Sequence, residues 1–219
     1  MTILICDNCG ISYNGKYRTR NKHHFCCKDC FTKYVKTNKN DFEILDDIVI
    51  MKLPKSGKFL SVSKVDIDLL SVNWHTTNTI PTYAVRNVYN GNKHYREMLH
   101  RIILERKIGR SLKNNEFADH IDHNGLNNSR NNLRVASGSE NVQNRMKTKK
   151  RTTSKFKGVF WHTRKNRRSR WEARINVIIN GKRKRIHLGE FDDEKEAAIA
   201  YNKSAIEYFG EFACLNEIN

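Results

Sequence analysis

The chain has 219 residues, a length that suits two or three modest domains. Its 41 Lys and Arg residues against 23 Asp and Glu give a formal net charge of +18, so a polyanion, and nucleic acid first of all, is the expected partner. No apolar run approaches the about 20 residues of a membrane span, and the N-terminus lacks the basic start of a signal peptide. We therefore expect a cytoplasmic protein that does not bind membranes.

The N-terminal segment carries cysteines at metal-ligand spacing. Cys6 and Cys9 are separated by two residues and followed by Gly10, as in a zinc knuckle. In the cytoplasm paired cysteines favour a metal over a disulfide, and about 40 residues this polar need such a staple to fold. We therefore predict a structural Zn²⁺ site in a domain of residues 1–40.

The second pair of zinc ligands comes from the run His23-His24-Phe25-Cys26-Cys27-Lys28-Asp29-Cys30. Spacing allows either Cys26 or Cys27 to act with Cys30, and a histidine of the run could replace a thiolate. The Phe-Cys step before a helix that carries the last Cys resembles a treble-clef ending. That resemblance implies Cys26 and Cys30 as the ligands.

Residues 41–99 are expected to form a small α+β scaffold. Ile48–Leu53 and Phe59–Val62 flank a Pro54 to Gly57 turn, which predicts a β-hairpin. A short helix follows at Val65 to Leu70, and a second hairpin is predicted to turn at Asn90-Gly91. Beyond it, residues 100–106 have helical spacing, and Gly109 can end that helix.

The central motif runs from Asp119 to Asn141 and combines an Asp-His step with an Asn-rich loop. Leu133 to Val135 alternates like a short strand, and Ser137 with Glu140 forms a capping box at a helix start. This helix would place Asn141, Asn144 and Arg145 on one face. Asn141 could then point back at Asp119 and His120, and oxygen ligands favour Mg²⁺ or Mn²⁺ over Zn²⁺.

Asp119-His120, Asn132 and Asn141 resemble the His-Asn-His homing endonucleases of phages and mobile introns, in the variant that ends with Asn. The resemblance implies a ββα-metal nuclease core. It implies His120 as the general base, Asn132 as the residue that orients the imidazole, and Asp119 with Asn141 as the ligands of a catalytic metal. We expect the core within a module of residues 41–146.

A basic linker is predicted at residues 147–154, where the helix is followed by Lys147-Thr148-Lys149-Lys150-Arg151. The run has no apolar face of its own, so Lys149 and Lys150 are expected to contact phosphates.

The last domain, residues 155–219, shows the pattern of a three-stranded antiparallel sheet packed on one helix. Trp171 to Ile178 alternates apolar and polar residues, and Asn180-Gly181 predicts a tight turn into the next strand. Asp193 with Glu196 suggests a second capping box. An apolar stripe follows, at Ala198, Tyr201, Ala205, Ile206 and Phe209, before Gly210 ends the helix.

This domain resembles the Apetala-type DNA-binding domain of plant ethylene-response factors through Gly158-Val159, Trp171 to Ile175, Leu188-Gly189 and Ala197 to Tyr201. Such sheets lie in the DNA major groove. By that resemblance and the alternation, the groove-facing candidates are Lys157, Arg174, Asn176, Arg185 and His187. The chain departs from the plant pattern at Phe160, where arginine is usual, so base preference does not carry over.

Together the features predict a multi-domain α+β protein that is a site-specific DNA endonuclease. We expect a monomer on double-stranded DNA that hydrolyses the phosphodiester to a 5′-phosphate and a 3′-hydroxyl. The alternatives are a sequence-specific DNA-binding regulator with an inactive nuclease core and an RNA-binding zinc protein. The intact set of four motif residues disfavours the first, and the groove-facing sheet disfavours the second.

Overall fold

The structure is a computed structural model that describes residues 3–6, 11–14, 19–20, 23–24, 30, 42–89, 91, 94–147, 153–163 and 170–218. The chain divides into two compact units. Unit 1 comprises residues 1–112 and 124–134, and unit 2 comprises residues 113–123 and 135–219. Several small sheets and few helices make it a mixed α+β protein, as predicted.

The strands of unit 1 precede the central motif, apart from one short strand within it. They are β1 (Ile3–Ile5), β2 (Ser12–Asn14), β3 (Thr19–Arg20), β4 (His23–His24), β5 (Phe42–Leu45), β6 (Ile48–Lys52), β7 (Phe59–Ser63), β8 (His75–Thr76), β9 (Ala84–Tyr89) and β10 (His94–Met98). Helix α1 (Leu99–Ile108) follows, and its end at Gly109 confirms the predicted stop. A 3-10 helix spans Lys64–Ser71, where a short helix was predicted.

Strands β11 (Glu116–His120), β12 (Asn127–Asn128) and β13 (Leu133–Ser137) carry the central motif, and helix α2 (Gly138–Gln143) follows β13 directly. The remaining elements, all in unit 2, are β14 (Val159–His162), β15 (Arg170–Ile179), β16 (Lys182–Phe191) and α3 (Glu194–Phe209). Short 3-10 helices span Arg130–Asn132 and Gly210–Phe212.

The main sheet of unit 1 has the strand order β12-β7-β6-β5. The predicted hairpin is its centre, with Val49 opposite Val62 and Met51 opposite Leu60, all four fully buried. Strand β5 is an addition that the sequence did not predict. Strand β12 pairs in parallel with β7, which brings the Asn-rich part of the motif onto the edge of this scaffold.

The second predicted hairpin is also present, as β9 paired with β10 from Tyr89–His94 to Val85–Met98. Of its predicted turn, only Gly91 lies within the described residues. Strand β8 adds to the free side of β9, so the hairpin becomes a three-stranded sheet.

The C-terminal domain has the predicted three strands, in the order β14-β15-β16, covered by α3. Ala173, Ile175 and Val177 are buried, and the residues between them are more exposed. The Asn180-Gly181 turn has a φ of 51° and 71° at its two residues, as a two-residue hairpin with a type I′ turn requires.

Two details of α3 differ from the prediction. Ile206 is 55% exposed, whereas Ala197 is fully buried. The buried stripe follows Ala197, Tyr201 and Ala205 at intervals of four, and Ile206 lies about 100° around the helix from Ala205. Asp193 caps the helix, but its side chain accepts from the Lys195 N–H, so there is no reciprocal box with Glu196.

Candidate active site and nucleic-acid surface

Asp119 and His120 lie at the end of β11, in unit 2. Both are buried, with 6% and 5% of their surface exposed. The chain turns directly after them, because the His123 N–H donates to the His120 carbonyl at 3.2 Å and His123 has a φ of 63°. A carboxylate and an imidazole are thus both held at positions of low solvent access, on consecutive residues of one strand.

The helix start after β13 is built as the sequence predicted. The Ser137 Oγ accepts from the Glu140 N–H at 3.3 Å, and the Glu140 carboxylate accepts from the Ser137 N–H at 2.6 Å. This capping box satisfies two backbone donors at the beginning of α2. It fixes the register of α2 and so decides which of its residues face β11.

The residue of this segment whose amide reaches Asp119 is Asn144. Its Nδ2 lies 3.0 and 2.9 Å from the two Asp119 carboxylate oxygens and 3.0 Å from the His120 carbonyl oxygen. The sequence analysis placed Asn144 on the same helix face as Asn141 but did not predict this bond, and Asn141 as a metal ligand stays a prediction. Asn141 and Asn144 share a helix face, but Asn144 is 4% exposed while Asn141 is only partly buried.

The donor chemistry of this pocket fits a hard divalent cation. Asp119 supplies a carboxylate, and the neutral amide of Asn144 orients it without cancelling its charge. Across the described residues, no three His, Cys, Asp or Glu side chains form a metal-binding cluster. The Asp119 carboxylate and the Asn141 amide oxygen would not form a cluster of that kind, because asparagine is not among these residue types. The assignment of Asn141 as the second ligand stays a prediction.

The Asn-rich loop that follows belongs to unit 1 and is bonded to the hairpin scaffold. Asn127 Oδ1 accepts from the hydroxyls of Ser61 and Ser129 at 3.2 and 2.9 Å. Asn132 Nδ2 in turn donates to the Asn127 carbonyl at 2.8 Å. This bond fixes the orientation of the Asn132 amide, and the Ser61 bond joins the loop to strand β7.

A buried ion pair that the sequence analysis missed holds the same loop. Asp66 is completely buried and accepts two bonds from the Arg130 guanidinium, at 2.7 and 2.9 Å. The hydrogen bond to Asp66 raises the pKa of Arg130 further above its ordinary value. Arg130 opens the 3-10 helix that ends in Asn132. The sequence showed only an aspartate in a short helix. Aspartates are usually exposed to solvent, so its burial was not predicted.

The outer face of the C-terminal sheet carries most of the predicted DNA-contacting residues. Arg174 pairs with His187 and Asn176 with Arg185 across β15 and β16, so all four share one face. Asn176, Arg185 and His187 are exposed, and the Arg174 guanidinium stacks 3.7 Å from the centre of the Phe160 ring. Arg183, which was not predicted, lines a depression with Asn176 and Arg185.

The prediction that Lys157 faces the DNA groove is corrected. Its Nζ donates to the carbonyls of Gln143 and Arg145 at 2.5 and 2.8 Å. It therefore caps the end of α2 and does not lie on the face of the sheet. The reason is Gly158, whose φ of 75° breaks the extended backbone. The alternation of β14 consequently does not continue to Lys157.

Several predicted site residues lie outside the described residues. They are Lys149, Lys150, Cys9, Cys26 and the alternative ligand Cys27. Cys6 is buried, and its N–H donates to the Ile11 carbonyl at 3.0 Å beside the β1–β2 hairpin. Cys30 is partly exposed. The Zn²⁺ site stays a prediction.

Comparison with known proteins decides the family. A model of HNH endonucleases matches residues 97–143. Over 194 residues the chain is 34% identical to an uncharacterised HNH endonuclease of Acanthamoeba polyphaga mimivirus, an alignment that covers 86% of this chain and 92% of that protein. The chain belongs to the HNH family of DNA endonucleases.

This HNH endonuclease is also similar to plant proteins over 66 residues, 30% of its length. It is 44% identical there to APETALA2-like protein 2 of Oryza sativa subsp. indica and 41% identical to Ethylene-responsive transcription factor WRI1 of Arabidopsis thaliana, and covers 14% of each. The match to HNH endonucleases and the similarity to these plant proteins both imply that DNA is its partner. None of the helices in the described ranges is long and apolar enough to cross a membrane.

Proposed function

We propose that this HNH endonuclease is site-specific and of the homing type, and that it cuts double-stranded DNA as a monomer. The observation that carries the proposal is the buried Asp119-His120 pair, whose carboxylate is oriented by Asn144. It lies in the same compact unit as the basic C-terminal sheet, which resembles the DNA-binding domain of plant ethylene-response factors. A chemical site and a sequence-reading surface are therefore built into one polypeptide.

In this mechanism His120 takes the proton from the water that attacks the scissile phosphorus. General-base help of this kind is worth about 10² to 10⁴ in rate. Asn132 orients the imidazole, an assignment that rests on the family resemblance.

Asp119 and Asn141 would hold the cation, which HNH nucleases generally require, and Mg²⁺ or Mn²⁺ suits their oxygen ligands. When bound, the cation neutralises charge that develops on the phosphate and on the leaving 3′ oxygen. The burial of Asp119 strengthens its attraction for a cation relative to an exposed carboxylate. The products are a 5′-phosphate and a 3′-hydroxyl.

Sequence selection is assigned to Arg174, Asn176, Arg185 and His187 on the outer face of the C-terminal sheet. Arginine can pair with a guanine edge and asparagine with an adenine edge in the major groove. Lys149 and Lys150 are assigned to phosphate contacts, which add affinity without sequence information. Zn²⁺ at Cys6, Cys9, Cys26 and Cys30 is proposed as a structural element of the N-terminal domain.

The chain provides its own control for the chemistry, because a second Asp-His step, Asp122-His123, follows the first. Supercoiled plasmid carrying the target is incubated with wild type, Asp119→Ala and Asp122→Ala, with and without Mg²⁺. We expect metal-dependent nicking by wild type and by Asp122→Ala, whose side chain is exposed, and none by Asp119→Ala. Specific binding without cleavage in any metal would instead indicate a DNA-binding regulator with an inactive core.

A further inference from the structure

The amide of Asn144 is placed to hold both groups of the proposed catalytic pair. Its Nδ2 approaches three oxygen atoms, two on the Asp119 carboxylate and one on the His120 backbone, all within 3.0 Å. Only the NH₂ end of an amide can face three acceptors, so the orientation of the side chain is fixed by chemistry. One hydrogen is shared between the carboxylate oxygens, and the other goes to the carbonyl.

The backbone on both sides of Asn144 is held by a residue of the C-terminal domain. Lys157 Nζ donates to the carbonyls of Gln143 and Arg145, the two residues that flank Asn144. Burial lowers the pKa of the Lys157 ammonium, which is consistent with a side chain withdrawn from water. Its bonds supply donors to two carbonyls at and just after the end of α2, where a helix leaves its last carbonyls without an N–H partner of its own.

A second lysine also links the end of α2 to the C-terminal domain, but here the lysine follows α2 and the acceptor belongs to the domain. Lys147, just after α2, donates to the Phe156 carbonyl, and its Nζ lies 5.6 Å from the centre of the Phe160 ring. Arg174 of the DNA-contacting face stacks on that ring. The described start of the predicted linker is therefore tied to the C-terminal domain. These contacts, together with the short backbone stretches 143–147 and 156–160, connect Arg174 to Asp119.

We propose that Asn144 is the positioning residue for Asp119 and His120, and that Lys157 fixes Asn144 relative to the DNA-contacting sheet. The proposal rests on the roles assigned to Asp119 and His120 under the proposed function. It gives Lys157 a task in the rate of cleavage and none in DNA affinity. It also means that the position of the Asp119 carboxylate depends on the C-terminal domain, through Asn144 and Lys157.

Asn144→Leu tests the first half, because leucine keeps the branched shape of the side chain and removes the donor. Partners that orient a metal ligand typically contribute about 10- to 100-fold to metal affinity or activity. We expect kcat for nicking to fall in that range with KM for DNA unchanged. Mn²⁺ binding to the protein without DNA, followed by electron paramagnetic resonance, should weaken by a similar factor. Val142→Ala, at an exposed position of α2, should match wild type.

Lys157→Met and Lys157→Arg test the second half without touching the pocket. Changes along a coupled network alter the measured quantity by about 2- to 30-fold, so Lys157→Met should lower kcat by a factor in that range, and Lys157→Arg should restore it. DNA affinity and its salt dependence should stay as in wild type. A lower affinity, with the salt slope reduced by about one unit and kcat unchanged, would show that Lys157 contacts phosphate and would overturn its positioning role.

Asp119→Ala separates failure of this proposal from failure of the proposed function. If Asp119→Ala is inactive while Asn144→Leu keeps the wild-type kcat and Mn²⁺ affinity, the function stands and the positioning role is wrong. If Asp119→Ala cleaves at the wild-type rate, the proposed function itself is wrong. If Asn144→Leu does not fold, the kcat of the two Lys157 variants decides.

Discussion

Gly158→Ala should destabilise the C-terminal domain far more than the same change at Gly181. Both glycines have left-handed backbones, with φ of 75° and 71°, so each substitution incurs about 1–2 kcal/mol of backbone strain. At Gly158 the new Cβ would lie 2.0 and 2.4 Å from carbons of the Tyr201 ring and 2.8 Å from the Arg174 carbonyl oxygen. Overpacking of this kind adds about 1–3 kcal/mol, for a total of about 2–5 kcal/mol.

At Gly181 no atom lies within 4 Å of the added Cβ, so only the backbone term applies. Urea unfolding monitored by tryptophan fluorescence can measure both variants, because Trp161 and Trp171 pack edge to face with their ring centres 4.9 Å apart. Gly158→Ala should also lose sequence-specific binding, since β14 carries Phe160 beneath Arg174. Equal free energies of unfolding for the two variants would refute the packing argument.

Three further outcomes follow from the account. Cys6→Ser should lose one Zn²⁺ per chain, because metal binding and folding of the N-terminal domain are one equilibrium; elemental analysis that finds no zinc in wild type would contradict the assignment. Arg130→Met should lower the free energy of unfolding by about 3 kcal/mol, since it leaves the buried Asp66 without its main partner, and a loss under 1 kcal/mol in thermal or urea unfolding would contradict it. Arg185→Ala should cost about 1–3 kcal/mol at the specific site and relax preference at one base pair, whereas Lys149→Ala should weaken all sequences alike in a binding assay.

Local signals predicted local structure well. The Ser137 to Glu140 box, the Asn180-Gly181 turn and the helix end at Gly109 were confirmed, because each depends on a few neighbouring residues with specific backbone requirements. The order of strands and helices follows from them. The identity of the family also follows, since four motif residues at set spacing carry it.

Contacts between distant segments were not predictable in the same way. Which of Asn141 and Asn144 meets Asp119 depends on where the short helix α2 ends and how it lies on β11. The position of Lys157 depends on the left-handed backbone at Gly158, which interrupts the alternation used to assign its face. The buried Asp66 acquires its partner from a loop 64 residues away. Spacing along the chain contains none of these tertiary distances.

The central claim is that His120 is the general base, and its most direct test compares His120→Ala with His123→Ala under single-turnover conditions on target DNA. The account predicts a loss of about 10²- to 10⁴-fold in the cleavage rate for His120→Ala, with DNA affinity unchanged because imidazole contributes little phosphate charge. His123→Ala should cleave at nearly the wild-type rate. Cleavage by His120→Ala at the wild-type rate, or an equal loss in both variants, would contradict the claim.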